Sequence, residues 1–244
     1  MVGAGYLGAT VARQAKAGGW EVIPVVRSEG SAESLRNEFP DVQAANATED
    51  SFWNNLQGNW RGVIWALSPS RGYEGSFLDL HRKGAVLAAA WARRNAVAMV
   101  YVSSTSVYAE AGGGWVDETS PVAAEDDRSM AMVKAERATL DSNGVVLRCA
   151  GIYGPGRDLR TGSEGPERWL NVVQVQDAAR AVGLVLGRKG GVYNVCENEP
   201  LRRGIPDGHW PAGRRERRNK RVSNAKIRGL GWQPLWKAGR PDTI

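Results

Sequence analysis

The chain has 244 residues with 42% hydrophobic content, a formal net charge of +6, two cysteines and two histidines. That length suits one large domain, or one with a small second lobe, burying roughly 70–75% of its unfolded surface without a covalent staple. Cys149 and Cys196 lie far apart beside apolar stretches with His81 and His209 nowhere near, which argues against a disulfide framework or metal site and for a reducing compartment.

In chain order, Leu7, Val11 and Ala15 have helical spacing over residues 6–17, and Gly18-Gly19 ends that helix. Trp20 to Val26 reads as a buried strand ending at Arg27. A polar helix (Ser31 to Glu38), a short strand (Val42 to Ala45) and a helix (Glu49 to Leu56) follow, then an apolar strand from Val63 to Leu67. A long helix at about 76–94 leads to the strand Ala98 to Val102, a Gly- and Ser-rich loop, a helix at about 125–141 and the strand Val145 to Leu147. Strand and helix alternate, and the strands are near-continuous apolar runs, which predicts an α/β fold with a parallel sheet covered on both faces. Gly and Pro punctuate 151–166; a helix fits 176–187, a strand fits Val192 to Val195, and a basic segment follows. The expected division is a Rossmann-type α/β domain over 1–150 and a smaller substrate-side lobe over 151–244, interleaved with the core across a soft boundary.

No apolar run approaches the ~20 residues that span a bilayer, and the N-terminus lacks signal-peptide character, so a soluble cytoplasmic protein is expected. The positive charge is local: residues 202–228 hold ten Lys/Arg and two acids, a net of +8.

Gly3-Ala4-Gly5-Tyr6-Leu7-Gly8 carries the most specific chemistry. A GxGxxG loop opening a helix offers backbone N–H groups and the positive helix end to a pyrophosphate, with each glycine removing an obstructing Cβ. About 20 residues on, NAD binders usually place an acid against the ribose 2′-hydroxyl. Arg27 stands there instead; its guanidinium fork suits a 2′-phosphate and predicts NADP(H) over NAD(H), the alternative being a solvated strand-end arginine. The first strand of such a fold contributes about five apolar residues, whereas this chain offers Met1-Val2, so a truncated first strand is expected.

At Tyr101-Val102-Ser103-Ser104-Thr105-Ser106-Val107-Tyr108 the chain resembles the extended short-chain dehydrogenase/reductase group, the NAD(P)-dependent epimerase/dehydratase family. The likeness includes GAGYLG, the LRCAGIYGPGR run from Leu147 to Arg157, Val175-Gln176-Asp177-Ala178-Ala179-Arg180-Ala181, Val192-Tyr193-Asn194-Val195, and the closing element from Ser223 to Trp232. The resemblance implies a substrate-polarising hydroxyl at Ser104 and a ribose-holding lysine at Lys134. The proton-transferring tyrosine position is Met130, whose thioether moves no proton, and no Tyr occurs between 109 and 152. This pattern resembles atypical members of the group.

Lys134 has three readings: a ribose ligand, a lone acid/base with depressed pKa, or a solvated helix lysine. Ser104 either lines the pocket at a strand's C-terminal end or satisfies loop backbone. Tyr108 and Tyr153 are candidate pocket phenols, Tyr108 as a stand-in proton donor, though aromatics beside apolar strands are more often core. Ala66, Leu67 and Ser68 are expected near the nicotinamide ribose, Asn46 near the adenine, and Tyr153 and Arg157 on the substrate side.

The basic segment 214–221 has three readings: a solvated or partner-facing run, a grip on a diphosphate, or, least favoured, nucleic-acid binding. The functional expectation is an NADP(H)-binding oxidoreductase or nucleotide-sugar epimerase/dehydratase-type enzyme lacking the usual tyrosine, with a catalytically silent NADP(H) sensor or regulator as the alternative. A small-molecule substrate, nucleotide-linked in the family's manner, and a homodimer through the helices at about 76–94 and 125–141 are what the resemblance implies.

Overall fold

The computed structural model describes residues 1–68, 76–123, 126–159, 166–204 and 218–238. Helix α1 (Tyr6–Ala17) buries Leu7, Val11 and Ala12 and stops at Gly18-Gly19, where Gly19 takes a φ of +84°. Strand β1 (Val25–Val26), helix α2 (Glu29–Arg36), strand β2 (Gln43–Ala44), helix α3 (Asp50–Asn54) and strand β3 (Gly62–Trp65) follow. Helix α4 (Phe77–Asp79) continues through a π-helical stretch, Leu80–Ala85, into α5 (Val86–Arg94). Then come β4 (Ala98–Ser104), a 3₁₀ turn (Thr105–Val107), β5 (Trp115–Val116) and α6 (Asp127–Asp141), whose start is capped by the Asp126 carboxylate accepting from Ser129 N at 3.0 Å. The chain closes through β6 (Val145–Cys149), β7 (Gly151–Tyr153), β8 (Arg168–Leu170), β9 (Val172–Gln174), α7 (Val175–Val185), β10 (Val192–Val195), β11 (Leu201–Arg203), β12 (Arg221–Val222) and α8 (Ala225–Arg228).

The main sheet is parallel. Val2 bridges Val25 on one side and Trp65 on the other, so its order is β2, β1, Val2, β3, β4, β6, β10. Sheet order reverses at Val2, which puts a crevice beyond the strand C-terminal ends at that point, where open α/β sheets bind ligands. One apolar cluster on α1 and α7 covers one face, a second built on Trp53, Trp65, Trp91 and Tyr101 covers the other, and a third lies under α2. Strand β10, from beyond residue 150, completes this sheet against β6. Smaller strand pairs, β7 with β9, β8 with β11 and β5 with β12, stand beside it.

One strand is much shorter than its sequence pattern. The expected strand from Trp20 reduces to Val25–Val26, because Pro24 has no N–H to donate and the neighbouring strand is the single residue Val2. Trp20 is accordingly 48% exposed. Gly84 explains how the helix at 77–94 lies so close to the sheet: a Cβ there would sit 2.5 Å from the buried Trp65 ring.

The C-terminal element is tied down by Asp177, fully buried at the start of α7. Its carboxylate accepts from Leu235 N at 2.9 Å and Trp236 N at 3.1 Å, and its carbonyl accepts from Trp232 Nε1 at 3.0 Å. No helix among the described residues is long and apolar enough to cross a membrane, and no cluster of His, Cys, Asp or Glu there is arranged to hold a metal.

Candidate cofactor and active site

The three glycines of the loop perform three different tasks. Gly3 adopts a φ of +89°, and a Cβ there would fall 2.7 Å from Leu67 N and 2.8 Å from the Ala66 carbonyl carbon. Gly8 lies against the loop itself: its Cβ would meet Gly3 O at 2.1 Å. Gly5 has nothing within 4 Å of its Cβ position, and no side chain caps the helix that begins beside it. Two glycines therefore let backbone segments pack, and the middle one leaves an open approach to the N-terminal end of α1. Leu7 turns its side chain into the core and leaves only backbone at the helix start. The Tyr6 hydroxyl is enclosed without a hydrogen-bond partner, and the Arg157 guanidinium lies 5.5 Å from the Tyr6 ring centroid. A cavity of about 490 Å³ opens here, lined among others by Gly5, Tyr6, Ser31, Pro155 and Gln176.

Arg27 is exposed just beyond β1, next to Ser28, whose hydroxyl caps α2 by accepting from Ser31 N at 3.3 Å. Ala66 and Leu67 back the Gly3 turn, and Ala66 N donates to Val2 O at 2.9 Å; Ser68 is exposed beside them. Asn46 lines a second cavity of about 490 Å³ with Gln43, Glu49 and Phe52. Its amide, however, is committed locally: Oδ1 accepts from Thr48 N and Oγ1, and Nδ2 donates to Glu49 Oε1 at 2.7 Å. An Asx turn leading into α3 thus occupies the group expected to meet an adenine.

Ser104 ends β4 half-buried, and its Oγ accepts from Ser106 N at 3.1 Å, holding the turn that follows. Met130 is 39% exposed in the first turn of α6. Lys134 is one turn on, exposed and without an ion pair or side-chain hydrogen bond among the described residues.

The structure corrects the expectation for Tyr108. It is fully buried in the core, donates to Asn194 Oδ1 at 2.7 Å, and lies under the Arg148 guanidinium at 4.8 Å. Burial outweighs these hydrogen bonds and pushes its pKa up to about 12, which removes it as a proton donor to a substrate. Tyr153 donates to Glu197 Oε1 at 2.6 Å, and burial raises the pKa of that carboxyl despite the bond. Cys149 and Cys196 are buried and free on and beside neighbouring strands β6 and β10; burial pushes both thiols up, Cys149 to about 12, so neither supplies a thiolate nucleophile.

Sequence reading missed a buried charge network beneath the site. Arg148 of β6 bonds Glu136 of α6 through Nη2 at 2.7 Å and Nε at 3.1 and 3.2 Å, and Ser103 of β4 donates to Glu136 Oε1 at 2.5 Å. The basic segment also has specific contacts. Arg214 to Arg217 lie outside the described residues, but Arg218 reaches Asp126 Oδ2 at 3.2 Å, Ser106 O at 3.2 Å and Ser129 Oγ at 3.3 Å. Arg221 donates to Gly113 O at 2.9 Å.

Comparison with known proteins agrees with this architecture. Protein YeeZ of Escherichia coli K12 is 27% identical over 216 residues, covering 80% of this chain and 76% of that protein. A functionally unknown conserved protein from Silicibacter pomeroyi is similar in structure, with a TM-score of 0.71 and 25% identity over 96% of this chain and 92% of that one. The dTDP-glucose 4,6-dehydratase DesIV of Streptomyces venezuelae, solved with NAD and TYD, has a TM-score of 0.76 at 19% identity over 97% and 92% of the two chains, a likeness of fold. The family profile of the NAD dependent epimerase/dehydratase family matches residues 1–173, and, in keeping with its parallel sheet, the reversal at Val2 and the glycine loop, the chain belongs to that family.

Proposed function

We propose that this protein binds NADP(H) and uses it in oxidoreductase or epimerase-type chemistry on a small molecule, with a proton-transfer set different from its family's usual one. The observation that carries the reading is the open space at Gly5, flanked by two glycines that cannot take a Cβ, at the uncapped start of a 12-residue helix. That arrangement is shaped for a pyrophosphate. Gly3, Gly5 and the backbone of Tyr6, Leu7 and Gly8 would hold the phosphates, Ala66 to Ser68 would border the nicotinamide ribose, and Lys134 would hold its hydroxyls. The bound dinucleotide would supply hydride transfer; the chain's part is to orient it and the substrate at the end of β4.

Arg27, followed by the hydroxyl of Ser28 at the start of α2, favours a 2′-phosphate over a 2′-hydroxyl. A titration of tryptophan fluorescence is the test. NADPH is expected to bind more tightly than NADH, and Arg27→Ala to erase that preference by about tenfold or more, the weight of one charge-assisted hydrogen bond. Tighter NADH binding by the natural protein would defeat the assignment, and no binding of either would defeat the proposed function.

Met130 supports the second reading, a silent cofactor sensor, because its exposed thioether moves no proton where the family's usual tyrosine would stand. Met130→Tyr separates the two. With Ser104 and Lys134 in place, restoring the phenol is expected to create or raise NADPH-dependent carbonyl reduction; unchanged, zero turnover would favour the sensor.

A further inference from the structure

Lys220 is buried to 7% exposure, yet its ammonium has no ion pair and no side-chain hydrogen bond among the described residues. Its Nζ is not among the fully enclosed unpartnered atoms, so it keeps some access to solvent. A nearly buried cation without a partner destabilises a fold, because desolvation is not repaid by any contact. Such a group persists where function uses it.

Its surroundings identify that use. Asn219 O accepts from Gly113 N at 3.0 Å and Arg221 N donates to Gly114 O at 2.8 Å, so the segment holding Lys220 is pinned across the loop that follows β4. Two residues earlier, the Arg218 guanidinium spans Ser106 O and Ser129 Oγ. Ser106 is two residues beyond Ser104, and Ser129 immediately precedes Met130. Arg218 is balanced by Asp126; Lys220 is the cation with no counter-charge in contact.

We infer that Lys220, supported by Arg218, is an anion-recognition residue for a small substrate whose carboxylate or phosphoryl group lies close to the reacting carbon. This inference rests on the proposed function for what the site does. It differs from a diphosphate grip in position, since Arg218 stands beside the turn after Ser104 and the helix start that carries Met130, and Lys220 follows it by two residues across the loop beyond β4. Charged groups facing Lys220 are Arg218 from its own segment and Glu110 from the loop beyond β4. Burial first, and then Arg218, lower its pKa to about 8, with Glu110 working the other way. The amine therefore begins to lose its charge just above neutrality, where a bound anion would restore it.

The experiment uses the full chain with three probes, oxalate, inorganic phosphate and UDP, followed by calorimetry with and without saturating NADPH. Oxalate or phosphate is expected to bind the natural protein at pH 7, to bind at least tenfold more weakly at pH 9, and to lose at least tenfold in Lys220→Met. Lys220→Arg should recover most of the affinity. Lys220→Met should also melt at a higher temperature than the natural protein, which a merely structural lysine would not do. Equal affinity in Lys220→Met would overturn the inference, as would UDP binding more tightly than both small anions in a Lys220-dependent way. NADPH affinity, measured on the same samples, should be unchanged in Lys220→Met. Loss of all dinucleotide binding by the natural protein would count against the proposed function, whereas Lys220-dependent oxalate or phosphate binding is scored separately from it.

Discussion

Glu136→Gln is expected to cost about 3–5 kcal/mol of folding stability, the loss typical of stranding one member of a buried ion pair. Glu136 is 3% exposed and Arg148 is 6% exposed, so solvent cannot replace the lost carboxylate. Arg148 Nη1 is already enclosed without a partner, which leaves the guanidinium dependent on Glu136 for its charge balance. Equilibrium urea unfolding checks the figure, and a loss below about 1 kcal/mol would show that the pair is solvated in a way its geometry does not suggest. The double variant Glu136→Leu with Arg148→Met is the informative control, since replacing both charges by apolar groups of similar volume is often neutral or stabilising. Recovery of stability there would leave a separate role for the pair. It ties β6 to β4, which presents Ser104, and to α6, which presents Met130 and Lys134, and an ion pair with a short hydroxyl–carboxylate hydrogen bond fixes their mutual height more narrowly than apolar packing would.

That network explains why some of the site was legible in the sequence and some was not. The glycine loop could be read because its spacing encodes backbone requirements: where a Cβ is forbidden, only glycine serves, whatever the rest of the fold. Ser104 and Met130 were placed correctly on a strand end and a helix start because hydrophobic period fixes those elements. Tyr108 was not, since a tyrosine just past a strand points to core or crevice depending on residues as distant as Asn194. Asn46 carried a readable signal that was passed over: Asn followed two residues later by Thr and three later by Glu is the pattern of a side chain turning back on its own backbone. The strand expected from Trp20 failed for want of a partner, which no local propensity records. In the basic segment, the run of charge is visible but its division is not. Irregular backbone has no period, so nothing local distinguishes Arg218, tied to Asp126, from Lys220, which is turned inward alone.

Acid should weaken this protein in a window set by His81. The imidazole is 4% exposed in the π-helical stretch, its Nδ1 is 2.7 Å from the Tyr101 hydroxyl, and the Phe77 ring lies 4.3 Å away with the Arg128 guanidinium on that ring. Burial, and then Arg128, lower its pKa from 6.5 to about 4. The folded state therefore refuses a proton that the unfolded chain accepts. Above pH 6.5 neither state carries it and stability is complete; between about 6.5 and 4 the unfolded chain binds more protons, so stability falls as pH falls; below about 4 both states are protonated and this loss levels off. At 1.36 kcal/mol for each unit of pKa difference, the loss reaches about 3 kcal/mol by pH 4. His81→Gln isolates the effect, because its amide can still meet the Tyr101 hydroxyl but does not titrate. Between pH 7 and 4 the natural protein should lose about 3 kcal/mol more than this variant, measured by urea unfolding at each pH. Parallel profiles would mean that the imidazole gains a proton without opening the packing around Tyr101. The helix concerned packs against α6, so the same titration should loosen the support of Lys134 before the sheet itself gives way.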